Sequence, residues 1–254
     1  MRNLFLPAAL LLAAGISRAQ GLDRDTLLTD APAVPAKGTV RVTGGVTGTT
    51  DSSGVGNTQG QAQVNGNIQW TPLQNLAGDV GAYFQIGGSG PYARVRYQIL
   101  NQYSHGLDLS GGVRFKAISF HSSACTSCQS HGEVEMLVAA GRRFGQFELA
   151  LDGVFGMETG GAGGKDIEAK GFAGWRFNDL VRAGLDSRLQ AEVSDTEKAA
   201  AKPPGARDYD LTAGPAVSWL VARTFQLQAL VGVAQPKKTA ITAPVGVVSA
   251  SVDF

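Results

Sequence analysis

The sequence predicts an all-β fold, a single antiparallel transmembrane β-barrel of about twelve strands. Three observations predict it: a short apolar leader, near-continuous alternation of apolar and polar residues, and connections that alternate short and long.

The leader sets the compartment. Met1-Arg2-Asn3 supplies a positive start, Leu4 to Ile16 is apolar, and Ser17-Arg18-Ala19 puts small residues where a signal peptidase reads. That run is too short to span a bilayer. The expected organisation is a signal peptide over residues 1–19, an extended periplasmic tail over 20–37 and the barrel over 38–254. A tail of this kind is first expected to be a linker, with docking on a periplasmic partner or entry into the lumen as the alternatives. Cleavage after Ala19 removes Arg2 and Arg18, leaving 20 basic against 21 acidic residues, a net charge of −1. Such a balance gives no reason to expect nucleic acid as a partner. No later apolar run approaches the ~18 residues a membrane helix needs. The 34 glycines follow no collagen period, and the length suits one all-β domain.

Alternation is cleanest from Gly60 to Trp70, where Ala62, Val64, Ile68 and Trp70 oppose Gln61, Gln63, Asn65, Asn67 and Gln69. Before it, Val40, Val42 and Val46 oppose Arg41 and Thr43. After it, Leu76, Val80, Phe84 and Ile86 oppose Asp79, Tyr83 and Gln85. Four further segments, starting at Ala93, Leu107, Val134 and Phe147, repeat the pattern. So do five more, starting at Ile167, Val181, Tyr209 and Phe225 and ending with Val248–Phe254. Twelve segments make the even number that single-chain bacterial barrels require.

Short turns are expected near Thr71–Asn75, Asn101–Gly106, Arg143–Gln146, Asn178–Asp179 and Ala222–Arg223. Longer loops are expected near Gly48–Thr58, His121–His131, Thr159–Lys165, Ser194–Ala206 and Gln235–Ala243, with Gly87–Pro91 the short exception. Short turns on the periplasmic side and longer loops outside are the asymmetry of bacterial barrels. Trp70, Tyr97, Tyr103, Phe144, Phe147, Trp175, Phe177, Trp219, Phe225 and Phe254 then gather at the short-turn end, as an interfacial girdle would. Two residues strain the scheme. Pro215 interrupts the tenth strand and calls for a bulge, and Arg142 falls on the lipid register near a strand end, where it can snorkel.

The C-terminus resembles that of bacterial outer-membrane β-barrel proteins, whose final strand carries alternate outward apolar residues and ends in an aromatic. Here those positions are Val248, Ala250, Val252 and Phe254. The resemblance covers roughly residues 38–254. It implies insertion into outer-membrane lipid of a Gram-negative envelope and reading of the last strand by the barrel-assembly machinery. In size and modest loops the chain is also similar to porin-like barrels of the myxobacterial gliding apparatus.

The inward register is rich in charge. Arg41 and Asp79 come first, then a basic group of Arg94, Arg96, Arg114 and Lys116 and an acidic group of Glu133, Glu135, Glu148 and Asp152. Glu168, Lys170, Arg176, Arg182, Asp186 and Arg188 mix both signs, and Asp208 and Asp210 follow. A transverse field across an aqueous channel would select small polar solutes. Cross-strand ion pairing that satisfies and stiffens the wall is the alternative. No single loop is long enough to fold in as a constriction, which favours a channel.

One loop carries other chemistry. His121 and His131 flank Cys125 and Cys128, and in an oxidising compartment a Cys125–Cys128 disulfide is the first expectation. The same two thiolates with His121 and His131 make the alternative, a metal site. No catalytic constellation stands out, so no enzyme activity and no cofactor are expected. Ser119 near His121 lacks a supporting motif, and His105 lies in a turn. The expected function is a small, weakly selective pore. A non-conducting barrel anchoring periplasmic or outer-membrane partners in a motility or adhesion assembly is the alternative.

Overall fold

A period-two chain with lipid-compatible residues on one face can satisfy every backbone group in a membrane only by closing on itself. In the computed structural model it does so. The structure describes residues 23–49, 62–85, 88–120, 130–159, 164–194, 204–237 and 240–254. The expected signal peptide and the Cys125–Cys128 pair lie outside these, as does His121.

Twelve antiparallel strands form one closed sheet. In chain order they are β1 (Val40–Thr49), β2 (Ala62–Leu73), β3 (Leu76–Gln85), β4 (Gly88–Leu100), β5 (Asp108–Phe120) and β6 (His131–Phe144). Then come β7 (Phe147–Thr159), β8 (Lys165–Arg176), β9 (Val181–Ser194), β10 (Tyr209–Leu220), β11 (Phe225–Gln235) and β12 (Ala243–Asp253). Each strand pairs with its sequence neighbours, and β1 meets β12 in a seam running from Arg41 opposite Asp253 to Thr49 opposite Val245. The seam continues past the strand end. Phe254 N–H donates to Val40 O at 2.8 Å, and Val40 N–H returns a 3.2 Å bond to Phe254 O.

The outer face is the apolar one. Val64, Ile68, Val80, Phe84, Val95, Phe115, Met136, Val138, Leu151, Leu185, Val231 and Val248 are all more than half exposed or close to it. A water-soluble protein would not leave such a belt bare, whereas lipid covers it. The aromatics expected in the girdle cluster at the short-turn end. Trp70 stands opposite Val40, Phe147 opposite both Phe144 and Trp175, and Trp219 opposite Val181.

Turn chemistry fixes the short end. Gly145 adopts φ 63°, the left-handed conformation a tight β6–β7 hairpin needs, and brings the Phe144 and Phe147 rings to 6.4 Å. The turn expected at Asn101–Gly106 contains one helical turn, α1 (Gln102–His105). Asn101 caps it by accepting from Tyr103 N–H, and Gly106 closes it at φ 78°. Pro215 needs no bulge. The β10–β11 register is the same on both sides of it, with Ala213 opposite Val233 and Ala216 opposite Leu230. Pro215 faces outward and exposed, and only the local ladder is interrupted. Arg142 is exposed at the girdle, its guanidinium 4.7 Å from the Phe144 ring centroid.

The tail takes the less expected of its alternatives. Residues 23–36 do not trail away from the barrel; they lie inside it, and Lys37 is exposed where the chain turns into β1. Arg24, Thr29, Ala31 and Val34 are buried, and Pro32 contacts the space beside Gly141 of β6. The physical reason is complementarity: an acidic, proline-bearing segment without strand periodicity meets a wall that offers cations and side-chain hydrogen bonds.

Candidate functional site

The site is the lumen, built from two parts: a charged wall and the tail laid against it. On the wall, cross-strand neighbours pair by sign. Asp79 of β3 sits opposite Arg94 of β4, whose Nε donates to its Oδ2 at 2.8 Å. Arg114 and Lys116 of β5 stand opposite Glu135 and Glu133 of β6 and pair with them. Asp152 of β7 stands opposite Lys170 of β8 at 3.1 Å. Glu168 takes Lys170 at 3.0 Å and Arg188 at 2.9 Å, and Arg188 reaches Asp210 of β10 at 3.5 Å. Glu148 is surrounded by Arg143, Arg176 and Arg182 at 3.2, 2.9 and 3.2 Å. Across the seam, Arg41 holds Asp253 at 2.7 Å. The charges expected to set up a transverse field thus meet partners of opposite sign, many of them on adjacent strands.

The tail completes the network. Arg24 reaches Asp253 at 2.5 Å. Thr26 and Thr29 close a turn, with Thr26 N–H donating to Thr29 O at 2.9 Å and Thr29 N–H to Thr26 Oγ1 at 3.1 Å. Asp186 of β9 accepts from Leu28 N–H at 3.0 Å and from Thr29 Oγ1 at 2.7 Å. Wall side chains satisfy the irregular backbone: Gln228 donates to Asp25 O at 3.0 Å, and Arg96 donates to Ala31 O at 2.9 Å. Gln98 accepts from Val34 N–H at 3.1 Å. This is how buried backbone survives outside a sheet.

Asp25 and Asp30 occupy the centre. Asp25 lies 3.2 Å from both Arg94 and Arg96. Asp30 lies 2.8 Å from Lys170 and is also paired with Arg94. Burial alone would push the Asp30 carboxyl up, but Lys170 and Arg94 hold it well below the usual carboxylate range. Asp25 is lowered in the same way, with Arg96 and Arg94 overcoming burial.

One wall sector is apolar. Ala216, Leu230, Val245 and Val247 face inward from β10, β11 and β12, and Leu27 and Leu28 pack on them. Above the tail a cavity of about 610 Å³ remains. Thr43, Thr47, Asn65, Asn67, Tyr83, Arg114, Arg188 and Ser249 line it, and Arg24 to Asp30 form its floor.

Of the charges read from sequence, Asp208 is the misplacement: it precedes β10 and is exposed rather than lining the wall. Several participants escape the sequence pattern. Arg143 falls in an expected turn, although its odd register continues Glu133 and Glu135 along β6. Asp253 reads from sequence as no more than a polar interval in the last strand. Arg24, Asp25, Thr29 and Asp30 carried no periodic signal at all. His131 is at the start of β6, 3.5 Å from Glu158, and His105 is in α1 at the opposite end. Among the described residues, no group of three or more His, Cys, Asp or Glu is arranged to hold a metal.

No protein-family model matches the chain, and no curated protein matches it. Solved structures do. The KdgM porin superposes with a TM-score of 0.56 at 10% identity, covering 84% of this chain and 99% of that one. The NanC porin gives 0.56 at 8% identity, with coverage of 85% and 100%. The COG4313 outer-membrane channel of Pseudomonas putida F1 gives 0.56 at 13% identity, with coverage of 87% and 97%. At these identities the likeness is one of architecture: this chain is a closed barrel of twelve strands whose fold is like that of bacterial outer-membrane porins.

Proposed function

We propose that the chain is a small outer-membrane pore for polar solutes or ions, closed at its short-turn side by its own N-terminal segment. The observation that carries this reading is the lumen's composition. A 610 Å³ polar cavity ends on a floor joined to the wall largely by hydrogen bonds and ion pairs. Such contacts can be exchanged for water or solute, whereas a structural plug would be expected to rest on a continuous apolar core. The porin fold of its structural neighbours supports the reading, as does the apolar belt, which suits a lipid surround.

Single-channel recording in planar bilayers tests it. Stable conductance steps are expected once the tail is undocked by Asp25→Asn/Asp30→Asn, with ion selectivity altered when Arg114 and Glu135 are also replaced by glutamine. A protein that stays silent with its tail undocked would refute the pore.

The second reading is a structural barrel anchoring envelope partners, and the filled short-turn half of the lumen favours it. It expects no conductance even after the tail is undocked, together with co-purification of periplasmic or outer-membrane proteins.

A further inference from the structure

The tail's two central carboxylates lie along an arc of three wall cations. Arg96 and Arg94 share Asp25, whose Oδ1 and Oδ2 are 3.2 Å from the respective guanidinium nitrogens. Arg94 and Lys170 share Asp30, the latter at 2.8 Å. Cation and carboxylate therefore alternate along the arc. The three cations come from β4 and β8, and their side chains are 3–6% exposed beneath the docked tail.

Their dependence on the tail differs. Arg94 keeps Asp79, and Lys170 keeps Asp152 and Glu168. Arg96 pairs with Asp25 and, beyond its bonds from Nη1, leaves buried Nε and Nη2 without hydrogen-bond partners. A buried guanidinium with unmet donors carries a large desolvation cost, and any anion that reaches it recovers part of that cost. Asp25 and Asp30 also line the floor of the outer cavity, so a solute entering from the long-loop side meets them first.

We infer that Arg94, Arg96 and Lys170 form a binding site for a solute carrying two carboxylates, and that the tail occupies this site as an internal competitor. The inference rests on the pore reading and assigns its cargo class. A dicarboxylate displaces Asp25 and Asp30, satisfies the same three cations and opens the lumen beneath it. Monovalent inorganic anions bridge one cation pair at a time and compete poorly with a two-point ligand.

The test uses the full chain in detergent micelles and glutarate as probe, with glutaramide as the uncharged control and KCl at matched ionic strength. Calorimetric titration is expected to show glutarate binding to the Asp25→Asn/Asp30→Asn protein at least about tenfold more tightly than to the unaltered chain, the size of a typical coupling between competing ligands. Arg96→Gln in that background is expected to abolish it, and glutaramide is expected not to bind. In the unaltered chain, glutarate is expected to accelerate amide exchange at Leu28 and Ala31 where KCl does not. Equal binding with and without the tail carboxylates would overturn the inference, as would indifference to Arg96→Gln. Should the double variant not fold, exchange in the unaltered chain that responds no more to glutarate than to KCl overturns it equally. Binding without conductance would remove the pore reading alone, and conductance without binding would remove this inference alone.

Discussion

Asp30 of the tail and Lys170 of β8 meet at 2.8 Å, and the same ammonium lies 3.1 Å from Asp152, so one wall cation joins a fixed carboxylate to a removable one. This makes tail docking dependent on charge, and its pH dependence has a definite sign. Free of the wall, Asp25 and Asp30 titrate near about pH 4. Docked, both are lowered: burial opposes ionisation, but Lys170 and Arg94 prevail at Asp30, and Arg96 and Arg94 at Asp25. Asp152 and Arg114 also face Asp30, and Asp30 faces Asp25. Because the ionised form docks better, the contribution is complete above about pH 4 and is lost as pH falls through the docked values. Exchange protection of residues 26–34, relative to the free-peptide rate at each pH, should stay high from neutrality to mild acid and fall below that, and the Asp25→Asn/Asp30→Asn protein should lack this step. Protection that does not fall in acid would contradict the assignment.

Asp186 grips the tail differently, through the backbone of Leu28 and the hydroxyl of Thr29. Thr29→Val keeps the shape and removes one donor from a buried carboxylate, at a cost of roughly 1–3 kcal/mol. Amide exchange at Leu28 should rise roughly tenfold or more, since about 1.4 kcal/mol is one decade. The thermal midpoint of the barrel should barely move, because its ladders are untouched. A fall in barrel stability with an unchanged tail would reverse this assignment.

Leu27 and Leu28 supply the apolar part of the docking, against Leu230, Val245, Val247 and Ala216. Leu28→Asp puts a charge against this patch and should cost roughly 2 kcal/mol or more of docking energy. Leu28→Met, which keeps an apolar chain of similar volume, should be nearly neutral. Arg24 is buried when the tail is docked, so trypsin cleavage at Arg24 in the folded protein reports the difference. Cleavage is expected in the aspartate variant and not in the methionine one.

The barrel is legible because lipid outside and water inside impose a two-residue period on the strands, and β2 follows it from Ala62 to Thr71 without a break. Strand ends were less legible. The inward parity of β6 runs on through Arg143, where a turn was expected because two arginines in succession read as polar punctuation. The tail was not legible, because Ala31-Pro32-Ala33-Val34-Pro35 has no period. The cations that hold Asp25 and Asp30 lie 64 to 140 residues away and converge only when the sheet closes. One sign of it was present all the same. Ala229-Leu230-Val231 and Val245-Gly246-Val247-Val248 break the alternation, and Leu230, Val245 and Val247 are the inward residues that Leu27 and Leu28 cover.

Glycine placement gives a prediction about the wall itself. Gly174 of β8 and Gly184 of β9 are cross-strand partners on the inner face. A Cβ on Gly184 would fall 2.3 Å from Ala173 O and 2.5 Å from the Gly174 Cα, backbone atoms that cannot rotate away. The close approach leaves room for Phe172, which is buried beneath the Arg182 guanidinium at 5.4 Å from its ring centroid. Gly153 of β7, by contrast, faces outward with nothing within 4 Å of an added Cβ. Gly184→Val should therefore lower the thermal midpoint and the refolding yield, with a cost of roughly 1–3 kcal/mol or more as the two strands separate. Gly153→Ala should stay within about 0.5 kcal/mol of the unaltered protein. Arg182 binds Glu148 and the Arg24 carbonyl, so the damage at Gly184 should also loosen the tail. Faster exchange across residues 24–30 together with the lower midpoint is the expected signature, and an unaltered midpoint would show that the β8–β9 contact tolerates the added atoms.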